Sequence, residues 1–89
     1  MGSVDELMGL TPVDLEWIRI REALADLLIE TRRASGLSQA EFARSIESSQ
    51  SAVSRAEHAD PSVSADWLLR SLVAAGRTRQ DIARALSGH

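Results

Sequence analysis

Residues 36–57 read GLSQAEFARSIESSQSAVSRAE, and the order of residue types in that run decides the local fold. Gly36 is a helix stop. Ser38 and Glu41 form a capping box, in which the serine hydroxyl and the glutamate carboxylate each satisfy a backbone N–H at the start of a helix. Leu37 and Phe42 flank that cap as a hydrophobic staple. Phe42, Ala43 and Ile46 point inward on the helix that follows, which is expected to end near Ser45. Ser48 or Ser49 then caps a second short helix, about Gln50 to His58, with Val53 as its main buried residue. Ala59-Asp60-Pro61 ends it.

Toward the N-terminus, Thr11 is an N-cap, Pro12 occupies the first helical position, and Asp14 closes another capping box. Leu10 and Leu15 make its staple. Trp17, Ile20, Leu24 and Leu28 recur at helical spacing, with Ile18, Ala25 and Ile29 on an adjoining strip. The helix is expected to run to about Ala34, roughly 35 Å at 1.5 Å per residue; a break, if one occurs, belongs near Arg21. Toward the C-terminus, Ser64 caps a fourth helix with Val63 and Leu68 as its staple. Its expected inward set is Trp67, Leu68, Leu72, Val73 and Ala75, and Gly76 stops it. Thr78 and Asp81 cap a last helix to about Leu86, carrying Ile82 and Leu86 inward. No strand-like alternation occurs, so the expected fold is all-α, with five helices in one domain.

Eighty-nine residues suit one compact domain with a small core. Cysteine is absent, which excludes disulfides and thiolate metal sites. No apolar run approaches the ~20 residues of a membrane span, and the chain is expected to be cytoplasmic. Neither a nucleophile–base pair nor a phosphate loop nor metal-ligand spacing is visible, so neither an enzyme nor a cofactor is expected. His58 beside Glu57 and Asp60 reads as a helix-end residue rather than a metal ligand.

The net charge is −3, but it is unevenly distributed. Residues 1–31 carry two arginines against seven acids, whereas residues 32–89 carry eight arginines against six acids. Every basic residue is arginine, whose planar fork suits phosphate and guanine; a coding bias toward arginine would produce the same composition.

Two short helices joined by a tight turn, the second with polar residues at its front, are how a helix-turn-helix unit is written. The second helix of such a unit probes the DNA major groove. Gln50, Ser51, Ser54 and Arg55 fit the outer face of that probe, while Ala52, Val53 and Ala56 are small enough for close packing behind it. Glutamine can pair with adenine and arginine with guanine, so these four are the candidate base readers. Gln39 lies where free N–H groups at a helix start favour a phosphate. Ser48, Ser49 and Arg44 are further phosphate candidates.

From about Leu24 to Gly76 the chain resembles the Cro/C1-type helix-turn-helix proteins, the XRE family. The landmarks are Arg32, Gly36 through Ala43, Ser48-Ser49-Gln50-Ser51, Val53, Ser54, Arg55 and Glu57. The resemblance implies a five-helix, lambda-repressor-like fold with an extended N-terminal helix, in which 24–76 form the Cro/C1-type helix-turn-helix domain, 1–23 an acidic helical extension and 77–89 a C-terminal helix. It implies that Gln39 clamps the DNA backbone, and that Arg32 and Glu57 form a partly buried ion pair setting the angle of the probe. Three departures from the pattern occur. Glu47 stands where the turn usually has glycine, which means either a strained left-handed residue or a different turn. His58-Ala59-Asp60 replaces a glycine-containing segment, and Ala56 replaces an inward leucine.

The N-terminal helix carries Trp17, Ile18 and Ile20, which either fold back on the core or form a dimer or partner surface. The leading functional expectation is a homodimeric repressor of its own promoter, bound to palindromic double-stranded DNA. The alternative is the antitoxin of a type II pair, similar to HigA-type antitoxins, neutralising a small basic toxin through its acidic segment.

Overall fold

A computed structural model describes residues 9–88. The first eight positions of the acidic extension, with Asp5 and Glu6, and the terminal His89 lie outside the described residues. Five helices and no strand occur among those described: α1 (Pro12–Ala34), α2 (Gln39–Ser45), α3 (Gln50–Glu57), α4 (Ala65–Ala74) and α5 (Arg79–Ser87).

Each helix starts where its sequence places a hydroxyl. The Thr11, Ser38 and Thr78 hydroxyls accept from Asp14, Glu41 and Asp81 N–H, and those three acids accept in return from the cap N–H. Ser49, not Ser48, caps α3, its hydroxyl accepting from Ala52 N–H at 3.1 Å. Ser64 caps α4 in the same way. These bonds answer donors that the first turn of a helix leaves orphaned.

The ends of α1 to α4 follow one backbone rule. Beyond α1, the Leu37 N–H reaches back to Arg32 O and the Gly36 N–H to Arg33 O, with Gly36 left-handed at φ 70°. The same pair of bonds closes α2 around Glu47, α3 around Ala59 and α4 around Gly76. This is the Schellman closure, whose pivot must be left-handed. Glu47 and Ala59 adopt it at φ 56° and 53° although neither is glycine. The turn therefore keeps its geometry and carries strain, on the order of 1 kcal/mol at each site.

The core gathers Leu24, Leu27 and Leu28 of α1, Phe42 and Ala43 of α2, Val53 and Ala56 of α3, Val63, and Leu68 and Leu72 of α4. Ala56 is fully buried, so α3 approaches closely where a leucine would hold it off. In α4 the inward stripe is Leu68, Ser71 and Leu72, flanked by Trp67 and Ala75. Val73, expected inward, is 61% exposed, because it follows Leu72 by one position and turns about 100° off that stripe. In α5, Ile82 and Ala85 pack against the core, but Leu86 is exposed and no residue is fully buried.

Helix α1 runs unbroken past Arg21. The Arg21 guanidinium donates to the carbonyls of Asp60 and Val63, tying that turn to the α3–α4 loop. Ile20 packs on the core, while Trp17 and Ile18 stay 49% and 38% exposed. The three residues expected to form one surface therefore divide between two environments.

One polar contact crosses three helices. Arg32 Nε donates to Glu57 Oε2 at 2.5 Å, and Arg32 Nη2 to Glu57 Oε1 at 3.0 Å. Gln39 Nε2 donates to the same Oε1 at 3.1 Å. The two charged side chains are 16% and 7% exposed. Burial pushes the Glu57 carboxyl up, but hydrogen bonds from Arg32 and Gln39 and the charges of Arg32 and Arg33 outweigh it. They hold the carboxyl below its ordinary 4.5. A carboxyl depressed in the folded state contributes stability above its unfolded pKa, and that contribution is lost as pH falls through the folded value.

Arg32→Ala is expected to cost about 3 kcal/mol in urea unfolding at neutral pH, because it strands a buried carboxylate. Replacing Arg32 and Glu57 together with apolar residues is expected to recover most of that loss. Glu57→Gln should flatten the decline of stability below pH 4.5; a profile identical to the parent would assign that decline to other carboxylates. Glu47→Gly and Ala59→Gly are each expected to add up to about 0.5 kcal/mol, the relieved strain less glycine's greater freedom in the unfolded chain. Lower melting temperatures for both variants would contradict the strain.

Candidate nucleic-acid interface

Helices α2 and α3, with the turn at Ile46–Ser49, form the unit on which the candidate site is built. Val53 and Ala56 face the core from α3. At about 100° per residue, Gln50, Ser51, Ser54 and Arg55 then share the opposite arc. Gln50, Ser51 and Arg55 are exposed and Ser54 is half-buried. Ser54 is also occupied at its backbone, where its carbonyl accepts from the His58 N–H and lies 2.7 Å from His58 Nδ1. His58 is thus an exposed C-cap whose imidazole turns back on its own helix.

The four candidate phosphate residues differ in placement. Ser49 is exposed, and its hydroxyl oxygen accepts the capping bond, which leaves the O–H able to donate. Ser48 is half-buried, and its N–H closes the turn onto Ala43 O at 2.8 Å. Arg44 is exposed on α2. Gln39 is half-buried and anchored to Glu57 through Nε2. A primary amide has two N–H donors, so this bond leaves one to offer outward. The sequence signalled the Arg32–Glu57 pairing but not Gln39 as its third member. At the first position of α2, Gln39 lies about one turn from the inward Phe42, and that spacing was the available clue.

The ten arginines are sorted by position. Arg19, Arg32, Arg70, Arg77 and Arg84 each face a carboxylate within 4 Å. Arg21 is held by carbonyls. Among the described residues, Arg33, Arg44, Arg55 and Arg79 make no ion pair. Three of those four lie on the last turn of α1, on α2 and on α3. The acids Glu41, Glu47 and Asp60 of the same region make no ion pair either, so the surroundings of the probe are close to balanced in charge although the whole chain is acidic.

No helix among the described residues is long and apolar enough to cross a membrane. No curated protein and no solved structure matches the chain. The sequence model of the helix-turn-helix domain family matches residues 23–86, from the middle of α1 almost to the end of α5. With that match covering well over half the chain, and with α2, turn and α3 arranged as a DNA-probing pair, the protein belongs to the helix-turn-helix domain family.

Proposed function

We propose that the protein is a sequence-specific transcriptional regulator that binds its operator as a homodimer and represses the promoter it covers. The observation that supports this most is the front of α3, where Gln50, Ser51 and Arg55 are exposed while the rear of the helix is locked by Val53, Ala56 and Glu57. In this reading Gln50, Ser51 and Arg55 meet base edges, with Ser54 beside them. Gln39, Ser48, Ser49 and Arg44 meet phosphates and set the register. The segment 24–76 is the DNA-binding core, and residues 1–23 and 77–89 are its flanking additions. One probe reads only about four or five base pairs, so two probes one helical turn apart on a palindrome supply usable specificity. The exposed Trp17 and Ile18 are the proposed contact with a second copy; Ile20, packed on the core, supports them from below.

A second reading, an antitoxin of the XRE type, draws on the same end of α1. Trp17, Ile18, Ala25 and Pro61 line a groove of about 570 Å³, and the acids Glu22 and Asp26 also line it. An apolar groove with acidic neighbours suits a basic protein partner. A toxin-sized basic reading frame beside the gene would favour this role, and its copurification with the protein would be the direct measurement.

Gln50→Ala with Arg55→Ala is expected to abolish preference for the protein's own upstream DNA over random duplex, with an unchanged helical circular dichroism spectrum. Preference retained in an anisotropy titration would remove α3 from the reading role. Trp17→Glu with Ile18→Glu is expected to halve the mass measured by light scattering. An unaltered mass would place the dimer contact elsewhere.

A further inference from the structure

The groove beside the N-terminal half of α1 has apolar walls from Trp17, Ile18, Ala25, Ala59 and Pro61, and it carries both signs of charge. Arg21 and Glu22 line it at adjacent positions, and adjacent residues of a helix do not face each other. Neither forms an ion pair among the described residues. Arg21 Nη2 donates to the carbonyls of Asp60 and Val63, but a guanidinium has five N–H donors, so its charge and further donors remain. Trp17 and Ile18 line the same groove while 49% and 38% exposed. One patch therefore holds an apolar knob, an apolar recess, an unmatched cation and an unmatched anion. A second copy related by a two-fold axis presents each of these to its counterpart, which is what an isologous contact requires. A partner of a single sign would set Arg21 or Glu22 against its like.

We infer that Trp17 and Ile18 of each copy pack into the groove of the other, against Ala25, Ala59 and Pro61, with Arg21 of one copy opposite Glu22 of its partner. This rests on the homodimer reading above and names the surface that receives the two side chains. A tryptophan seated in a recess is the kind of contact in which interface affinity concentrates. The charge pair fixes orientation more than strength. Glu57, His58 and Ala59 also line the groove. They are the last residue of α3, its C-cap and its left-handed pivot. The contact is thus built against the end of the probe, so pairing two copies also fixes where the two probes stand.

The test uses the full chain. Trp67→Phe leaves Trp17 as the only tryptophan. On dilution, the emission of this variant is expected to move to longer wavelength at the concentrations where light scattering shows the mass halve, as the indole passes from a recess to water. Glu22→Arg sets two cations opposite each other and is expected to raise the dimer dissociation constant about tenfold. Pro61→Glu, on the receiving wall, is expected to raise it by a similar factor. Leu69→Glu with Val73→Glu is the control. It charges the exposed apolar face of α4 and should leave the constant unaltered. Circular dichroism checks that each variant folds, and if Trp67→Phe or Pro61→Glu does not, the remaining variants decide.

Trp17 emission that ignores dilution while the mass halves overturns the groove contact and leaves the homodimer standing. The same holds for a dissociation constant unaltered by Glu22→Arg or by folded Pro61→Glu, or raised equally by the α4 control. Emission that ignores dilution but moves to shorter wavelength when the basic product of an adjacent gene is added gives the groove to that partner and overturns the second copy as its occupant. A parent that is monomeric at every concentration, alone and on its own upstream DNA, refutes the homodimer reading and this contact with it.

Discussion

The structure depends on how one carboxylate is satisfied. Glu57 ends α3, and its two oxygens take three hydrogen bonds from α1 and α2. Helix α3 has eight residues and buries only Val53 and Ala56 fully. Two small apolar side chains give close contact but little directional control, because the hydrophobic effect has no preferred orientation. Hydrogen bonds to a buried charge are directional and strong. The network thus supplies the angular constraint that the thin core behind α3 lacks. Such a pair is weak evidence for net stability, since desolvation offsets much of the Coulomb gain. Its contribution lies in the single arrangement of three helices that satisfies it.

Charge is sorted within the domain in the same way. Half of the arginines are spent within the domain, facing Glu16, Glu57, Asp66, Glu30 and Asp81. Most of those pairs are exposed and distant enough to add little to stability. Four of the five lie away from α3, and the fifth, Arg32–Glu57, lies on it. Around the probe, Arg33, Arg44 and Arg55 stand with Glu41, Glu47 and Asp60, so that region is balanced in charge rather than acidic like residues 1–31. Net charge describes solubility and long-range steering, but the local distribution decides where a polyanion can settle.

Much of this fold was legible because helix starts are written locally. A hydroxyl residue and an acid three positions later specify a cap without reference to the rest of the chain, and the capping boxes at Thr11, Ser38 and Thr78 show this directly. Helix ends were less legible. At Glu47 and Ala59 backbone closure imposes a left-handed residue that the local sequence does not favour, and nothing in the residue types alone chooses between strain and another turn. Burial at the margins was also hidden. Val73 and Ile20 are apolar residues whose fates are decided by which face of the helix meets a neighbour. At the site, residue types and spacing marked the outer face of α3. Gln39 was harder, because a glutamine at a helix start satisfies equally well a role toward solvent and one toward a buried acid. Which applies depends on Glu57, eighteen positions away.

Gln39 turns that ambiguity into a mechanical link. If its amide spends one N–H on Glu57 and offers the other to DNA, the proposed phosphate contact and the angle of α3 share a single atom, Glu57 Oε1. A rotation of α3 that moved Glu57 would then also move the donor aimed at the strand. The proposed readers have no comparable tie. Gln50, Ser51 and Arg55 stand on the exposed arc, where substitutions change what is read without disturbing what holds the helix. Geometry is thus concentrated in residues that face inward at Arg32, Gln39 and Glu57. In the proposed reading, sequence preference is left to side chains on which the fold does not depend, and a domain built this way could acquire a new operator while keeping its docking pose.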